Sequence, residues 1–135
     1  MNREILFRGK QIVSGEWIYG VPISNDNITC IFKLTDGLSE LKGFQVKPKT
    51  VGQYTGLIDK NGVKIFEGDI ASFKRFENNY IGKIIFNNKT AGFEFWWNVI
   101  VGAYGEKATR CANLSVCDEI EVISNIHDNS EMLGD

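Results

Sequence analysis

Hydrophobic and polar residues alternate one by one over much of the chain, and apolar residues at helical spacing are scarce. In the stretch GEWIYGVPI, Trp17, Tyr19 and Val21 share one face while Ile18 and Gly20 lie on the other. This two-residue period is typical of a β-strand. Many short stretches of this kind, together with 14 glycines, predict an all-β or β-dominated α+β fold. We expect no helix longer than about 12 residues.

Turn residues divide the alternating stretches into strands. A turn at Ser14-Gly15 predicts that the first two strands form a hairpin. Residues 27–35 read as a third strand, and residues 119–126 as the last. Turns at Asn78-Asn79 and Asn87-Asn88 separate the strands of the middle segment.

Three segments lack a clear alternation and read differently. Residues 35–44 predict a short helix, residues 104–114 a loop or a short helix, and residues 127–135 a single helical turn. The expected N-caps are Thr35 or Asp36 in the first segment and Asn129 or Ser130 in the last.

The segment VGQYTGLIDKNGVKIFEGDI at residues 51–70 carries the most turn signals of the chain. Its first two glycines indicate a bulge or a close backbone approach. Asn61-Gly62 predicts a type I′ hairpin turn, with positive φ at both residues. Gly68 turns the chain again, and Asp69 is placed to accept backbone N–H bonds beside that turn. Because each special residue has a backbone role, the segment indicates a fold rather than a chemical site.

A domain boundary is expected near residues 42–50, where Lys47-Pro48-Lys49 interrupts the pattern, since proline disfavours both helix and central strand. The prediction is one 1–135 unit with an N-terminal β sub-domain, 1–46, and a second sub-domain, 47–135. The second would form an SH3-like or similar small barrel on which the first packs.

Composition and charge exclude several classes of protein. The chain has 135 residues, 43% hydrophobic and 24% charged, and a net charge of −2, so it lacks the strongly basic surface typical of nucleic-acid binding. The apolar stretch near the N-terminus is too short for a signal peptide, so we expect none, and no run approaches the roughly 20 apolar residues of a membrane span. The odd number of cysteines, 3, favours a reducing compartment. We therefore expect a cytoplasmic protein with no membrane partner.

Candidate catalytic and metal-binding residues have a simpler explanation in each case. Cys111, Cys117 and His127 lack the close pairs of a zinc site, and a fourth ligand would have to be Cys30 or a carboxylate. His127 also lacks the local signature of a nucleophile–base pair. The acidic residues Asp59, Glu67 and Asp69 lie in or beside turns, where carboxylates cap backbone N–H groups. We expect no catalytic residues, no metal and no cofactor.

Two stretches are candidate binding surfaces. The first interleaves aromatic and basic residues at Phe73, Lys74, Arg75, Phe76 and Tyr80, as surfaces that bind single-stranded nucleic acid do. Residues two apart share a face of a strand, so either Phe73 or Phe76 would be core and the other less buried.

The second candidate surface is the apolar stretch from Phe93 to Val101, whose only charge is Glu94. Adjacent residues of a strand point to opposite faces, so Trp96 and Trp97 cannot both enter one core. Tryptophan is enriched at protein interfaces. The stretch therefore predicts self-association, and the residues expected at the interface are Phe93, Phe95, Trp96, Trp97 and Val99.

The chain resembles the YopX family, small proteins carried by bacteriophages and prophages. The opening EILFRGKQIVSGEWIYG, the central VGQYTGLIDKNGVKIFEGDI and the closing EVISNIHDNSEML carry the resemblance. It implies a mostly-β fold and an intracellular, phage-related setting. Because the family is one of unknown function, the resemblance brings no catalytic residues, cofactor or substrate.

These observations favour a non-enzymatic phage or prophage accessory protein that acts through protein–protein contacts. The expected partners are a second copy of the chain and an unidentified host or phage protein. The alternative is a nucleic-acid-binding module of phage DNA or RNA metabolism, which the net negative charge disfavours.

Overall fold

The computed structural model describes residues 2–35 and 40–133, and in these residues the chain is built of short β-strands. This confirms the predicted all-β class. The helical segments are a single α-turn, α1 (Ile126–Asn129), and three 3₁₀ turns at Pro48–Thr50, Leu114–Val116 and Ser130–Leu133. The strands are β1 (Phe7–Lys10), β2 (Trp17–Ser24), β3 (Thr29–Thr35), β4 (Glu40–Gln45), β5 (Gly52–Ile58), β6 (Lys64–Phe66), β7 (Asp69–Arg75), β8 (Asn78–Asn87), β9 (Gly92–Val101), β10 (Glu106–Asn113) and β11 (Glu121–Asn125).

The chain divides into two compact units, Met1–Gly56 and Leu57–Asp135. The sequence placed a boundary near residues 42–50, where the structure has the end of β4 and the 3₁₀ turn at Pro48–Thr50, both inside the first unit. A membrane-crossing helix needs about 20 apolar residues, and none of the helical segments in the described part of the chain meets that requirement.

The first unit is an antiparallel sheet in the order β4-β3-β2-β1-β5. Its core is small and is formed by Ile18, Ile31 and Val46, against which Phe7 and Phe44 pack. These residues lie on the same face because the alternation of β2 and β3 points every second side chain inward. The opposite face of the same strands is therefore left for other contacts.

The second unit contains a five-stranded antiparallel sheet in the order β10-β9-β8-β7-β11. Strand β5 runs across the division of the chain, and β6 belongs to the second unit. Closure of residues 47–135 into a small barrel stays a prediction.

Aromatic rings fill the core of the second unit. The rings of Phe95 and Trp97 stack with their centroids 5.4 Å apart and their planes 21° apart. Phe73 meets Phe95 edge-on at 5.6 Å, and Tyr80 packs on Trp97 at 5.6 Å. Such geometries are favoured by the quadrupoles of the rings. The other buried members of this core are Ile65, Ala71, Ile84, Leu114, Cys117 and Ile120.

The turns of residues 51–70 are held by two buried carboxylates, as the sequence predicted. Asp59 Oδ1 accepts hydrogen bonds from the backbone N–H groups of Asn61, at 2.8 Å, and Val63, at 2.9 Å. Its second oxygen, Oδ2, accepts from the backbone N–H of Val122 at 3.0 Å. Asp69 Oδ2 accepts from the backbone N–H of Phe66 at 2.7 Å. Asp59 and Asp69 thus serve the fold, because backbone donors occupy their carboxylates.

The predicted type I′ turn at Asn61-Gly62 is wrong, because only Gly62 of the pair has a positive φ, +82°. Gly68 does turn the chain, with φ +90°. The turn is held instead by the hydrogen bonds that the Asp59 carboxylate accepts from the backbone N–H groups of Asn61 and Val63.

The turn between β7 and β8 was predicted two residues too late. It lies at Phe76-Glu77, with φ of 50° and 67°, and Asn78 already pairs with Arg75 in the ladder. Residues of this kind seldom adopt positive φ. The pairing of the flanking strands, including Phe73 opposite Tyr80, overrides the local preference.

Two predicted helical or loop segments are strands. In residues 35–44 the structure has strand β4 from Glu40, while Asp36–Ser39 lie outside the described residues. Residues 104–114 contain β10, which pairs with β9 over its whole length. The terminal helical turn exists as the 3₁₀ turn Ser130–Leu133, and it is preceded by α1, which begins at Ile126 and is capped by the side chain of Asn125.

Truncation of Phe95 tests the aromatic core. We expect Phe95→Ala to lower the free energy of unfolding by about 3–5 kcal/mol, since a fully buried ring is replaced by a cavity. Denaturant unfolding followed by circular dichroism measures this loss. The matched control is Ile100→Ala in the same strand, where the side chain is 67% exposed and a change within about 0.5 kcal/mol is expected. Equal losses in both variants would contradict the assignment of this core.

Acid unfolding tests the hydrogen bonds of Asp59. Burial raises the pKa of the Asp59 carboxyl, but three backbone N–H donors and Lys60 outweigh it and hold the pKa below its usual value. The carboxylate therefore contributes stability above the unfolded-state pKa, and that stability is lost as pH falls through the lowered folded-state pKa. We expect Asp59→Asn to cost about 1–3 kcal/mol at neutral pH, because its amide cannot accept at both positions.

The same variant should show a smaller loss of stability between about pH 5 and pH 2 than the parent chain. Urea unfolding at several pH values measures it. Glu67→Gln, another acidic residue of the segment, is the control and should behave as the parent does. A parent-like pH profile in Asp59→Asn would show that these hydrogen bonds contribute nothing.

Candidate interaction surfaces

The stretch predicted to form an interface is strand β9, and its alternate residues have different environments. Phe95 and Trp97 are 0% and 6% exposed and belong to the core of their own unit, so these two are not interface residues in the folded chain. Phe93 and Val99 are half-buried and pack against the same core. Only Trp96 of the predicted set lies on the opposite face. The expectation that Trp96 and Trp97 cannot both enter one core is confirmed.

A groove lies on this outer face of the second sheet. Trp96 is half-buried there, and Lys83 of β8 lies directly opposite it in the strand register. Asn98 and Thr109 extend the groove across β9 and β10, and Leu133 of the last 3₁₀ turn lines it as well. The cavity measures about 260 Å³. It combines an aromatic surface, a cation and two polar side chains.

Glu94 fixes the ring of Trp96. The Trp96 Nε1–H donates to Glu94 Oε1 at 2.8 Å, and the Asn87 amide nitrogen donates to the same oxygen at 3.1 Å. The hydroxyl of Thr90 donates to Oε2, also at 3.1 Å. The hydrogen bonds from Trp96 and Asn87, with that from Thr90, hold the pKa of the Glu94 carboxyl below its usual value against the effect of burial. The charged carboxylate thus orients the indole at neutral pH.

The stretch predicted as a nucleic-acid surface lies at the β7–β8 hairpin. Phe73 is 6% exposed and is core, and Tyr80 packs on Trp97, so neither ring is presented as a stacking platform. Lys74 and Arg75 are exposed, as the prediction requires.

The exposed ring of the hairpin is Phe76 at its tip, which is 83% exposed and has the Arg75 guanidinium 5.3 Å from its centroid. This turn lies beside a second cavity of about 400 Å³ that Val116 and Asp118 also line.

The first unit presents an apolar sheet face, which we call the β2–β4 face. Val21 and Ile23 on β2 are 56% and 61% exposed, and Leu41 on β4 is 65% exposed. Between them lies Phe32 of β3, the register partner of both Val21 and Gly43. The ring of Phe32 covers Gly43, where an added Cβ would come within 2.5 Å of it. Four apolar side chains thus share one exposed sheet face.

The cysteines and the histidine are dispersed. Cys30 lies in β3 of the first unit, Cys111 is exposed on β10, and Cys117 is buried in the second core. His127 is half-buried in α1, and its Nε2 lies next to Gly68. Among the described residues, no three side chains of His, Cys, Asp or Glu lie close enough to hold a metal ion.

The sequence did not single out four of the groove residues: Lys83, Asn98, Thr109 and Leu133. Alternation alone would have placed Lys83 and Asn98 on the outer face with Trp96 once the register of β8 and β9 was known. Thr109 lies in a strand that was read as a loop or helix. No sequence pattern indicates that Leu133, from the end of the chain, contributes to the groove.

Comparison with known proteins supports a family and a fold. The family model described as YopX protein matches residues 6–134. A solved structure, that of protein EF1440 from Enterococcus faecalis, is similar over 98% of this chain and 99% of that one, with a TM-score of 0.52 and 24% identity. At that identity the likeness shows the fold alone. No curated protein matches the chain.

Thiol reactivity tests the placement of the cysteines. We expect Cys111 to react fastest with a disulfide reagent and Cys117 slowest, because burial raises the pKa of the Cys117 thiol to about 11 and few thiolates form. Absorbance of the released thiol measures the rates. Cys111→Ser should remove the fast phase, and unfolding in denaturant should make the remaining thiols react together. A fast phase that persists in Cys111→Ser would contradict this placement.

Proposed function

The chain belongs to the YopX family, and we propose that it is a non-enzymatic phage or prophage accessory protein of the bacterial cytoplasm. It acts through protein–protein contacts, first with a second copy of itself and then with a host or phage protein. The observation that carries this proposal is the β2–β4 face of the first unit. Exposed single apolar residues are ordinary, but a contiguous apolar patch on a sheet marks an interaction site.

The β2–β4 face is suited to a second copy of the chain. Identical chains associate most often about a two-fold axis, which brings the same patch of each copy together. Val21, Ile23 and Leu41 project from this face in each copy. A contact between two such faces is apolar on both partners, so it buries no unpaired charge. Edge pairing through β4 is less suitable, because Lys42 lies on that edge strand and charged edges resist pairing. Face-to-face packing is therefore the arrangement proposed.

Nucleic-acid binding is the second candidate function, and the hairpin tip favours it. Phe76 with Lys74 and Arg75 offers one exposed ring and two cations, the elements of a single-strand surface. Glu77 in the same turn and Asp118 beside it reduce the local positive charge. With a net charge of −2 for the chain, this surface supports only weak, salt-sensitive binding.

The oligomeric state tests the leading proposal. Light scattering after gel filtration at micromolar concentration should give about twice the 15.2 kDa of one chain. Ile23→Lys should shift the mass toward the monomer, because a charge in the β2–β4 face cannot be buried unpaired. Val13→Lys is the matched control: its side chain is 92% exposed and lies outside that face, so the mass should not change. A monomer mass for the parent chain across the concentration range would overturn self-association.

A further inference from the structure

Two polar side chains of the groove on the second unit, Lys83 and Asn98, offer hydrogen-bond donors. Thr109 Oγ1 donates to Asn98 Oδ1 at 3.0 Å, which occupies the amide oxygen and leaves the amide nitrogen of Asn98 as a donor. Within the described residues, the Lys83 ammonium has neither an ion-pair nor a hydrogen-bond partner. A ligand that matches this set must supply acceptors, and a negative charge beside Lys83 would complement it best.

The aromatic wall of the groove is preorganised. The Trp96 side chain uses its only hydrogen-bond donor on Glu94, so the rest of its ring brings no polar group into the groove that it lines. Glu94 lies on the same face of β9, and its two oxygens already accept three hydrogen bonds. A ring fixed in this way binds a flat partner with little loss of side-chain freedom.

From these features we infer that the groove binds a small ligand in which a flat heteroaromatic ring carries an anionic group, as in a nucleoside monophosphate. The ring stacks on Trp96, the anionic group lies against the Lys83 ammonium, and the Asn98 amide donates to an acceptor of the ring or its sugar. The volume of about 260 Å³ lies just below the range of about 300–1,000 Å³ typical of small-molecule pockets, so the groove takes one small ligand at most. The inference is independent of the proposed self-association.

A heteroaromatic ring with an anionic group occurs both in a free nucleotide and in each nucleotide of a single strand. Leu133 lines the groove from the C-terminal 3₁₀ turn. The small volume of the groove, about 260 Å³, favours a single free nucleotide over a strand that must continue at both ends. The experiment below separates the two sources.

The test is a titration with adenosine 5′-monophosphate followed by the indole N–H signals of ¹⁵N-labelled protein. Three such signals are expected, from Trp17, Trp96 and Trp97, and Trp96→Phe assigns the second by its disappearance. We expect a saturable shift of the Trp96 signal and an unchanged Trp17 signal. Adenosine, which lacks the anion, should bind about two- to fivefold more weakly, the scale of one exposed ion pair. Inorganic phosphate, which lacks the ring, should leave the Trp96 signal in place.

Lys83→Gln should weaken binding of the nucleotide by the same factor of about two to five and abolish the difference between nucleotide and nucleoside. Lys89→Gln is the matched control, an exposed lysine in the β8–β9 loop, and should bind as the parent does. Both lysines are surface-accessible, so the test does not depend on a core substitution. A single-stranded oligoadenylate that binds more tightly per nucleotide identifies the strand as the source, and equal or weaker binding identifies the free nucleotide.

Three results would overturn the inference. The first is the absence of a saturable Trp96 shift with either the nucleotide or the oligonucleotide. The second is an equal shift of the Trp17 signal, which would indicate non-specific stacking. The third is equal binding by Lys83→Gln and Lys89→Gln, which would show that the anionic group does not lie against Lys83.

Discussion

The stacked contact between Phe95 and Trp97 determines how the second unit uses both faces of its sheet. Their rings, 5.4 Å apart, anchor the core in which Phe73 and Tyr80 also pack. Because side chains of a strand alternate, burying these two residues of β9 places Trp96 on the opposite face. The core and the outer groove thus both depend on the register of β9. A slip of β9 by one residue would move Phe95 and Trp97 to the outer face and Trp96 to the core, and would destroy both.

A second constraint links distant parts of this unit through the carboxylate of Asp59. Its two oxygens hold the turn that follows β5 and, at the same time, the backbone N–H of Val122, 63 residues later, at 3.0 Å. Strand β11, to which Val122 belongs, pairs with β7. The turn chemistry of residues 51–70 therefore has a long-range role, since it joins the first hairpin of the unit to its last strand. This explains why the carboxylate of Asp59 serves the fold and not a chemical site.

The sequence predicted those parts of the fold in which local and long-range preferences agree. The period of β2, the turn at Gly68 and the caps made by Asp59 and Asp69 were all readable. The regular alternation expected for β11 is interrupted by a shift of register between Val122 and Ser124. Strand β10 was not, because its side chains are mostly exposed on both faces and carry no alternation. Its extended form comes from pairing with β9. The turn at Phe76-Glu77 was missed for the same reason: strand pairing, not turn preference, places it there.

The candidate site was readable to the same limited extent. Sequence alone showed that Trp96 and Trp97 point to opposite faces of the strand. Which of the two enters the core depends on the residue opposite each of them on β8. Trp97 pairs with Gly82, where an added Cβ would come within 2.7 Å of the Phe95 ring, so the glycine leaves space on the core side for large rings. Trp96 instead pairs with Lys83, which gives the outer face its cation. The register that places Gly82 opposite Trp97 in the core thus also places Lys83 opposite Trp96 on the outer face.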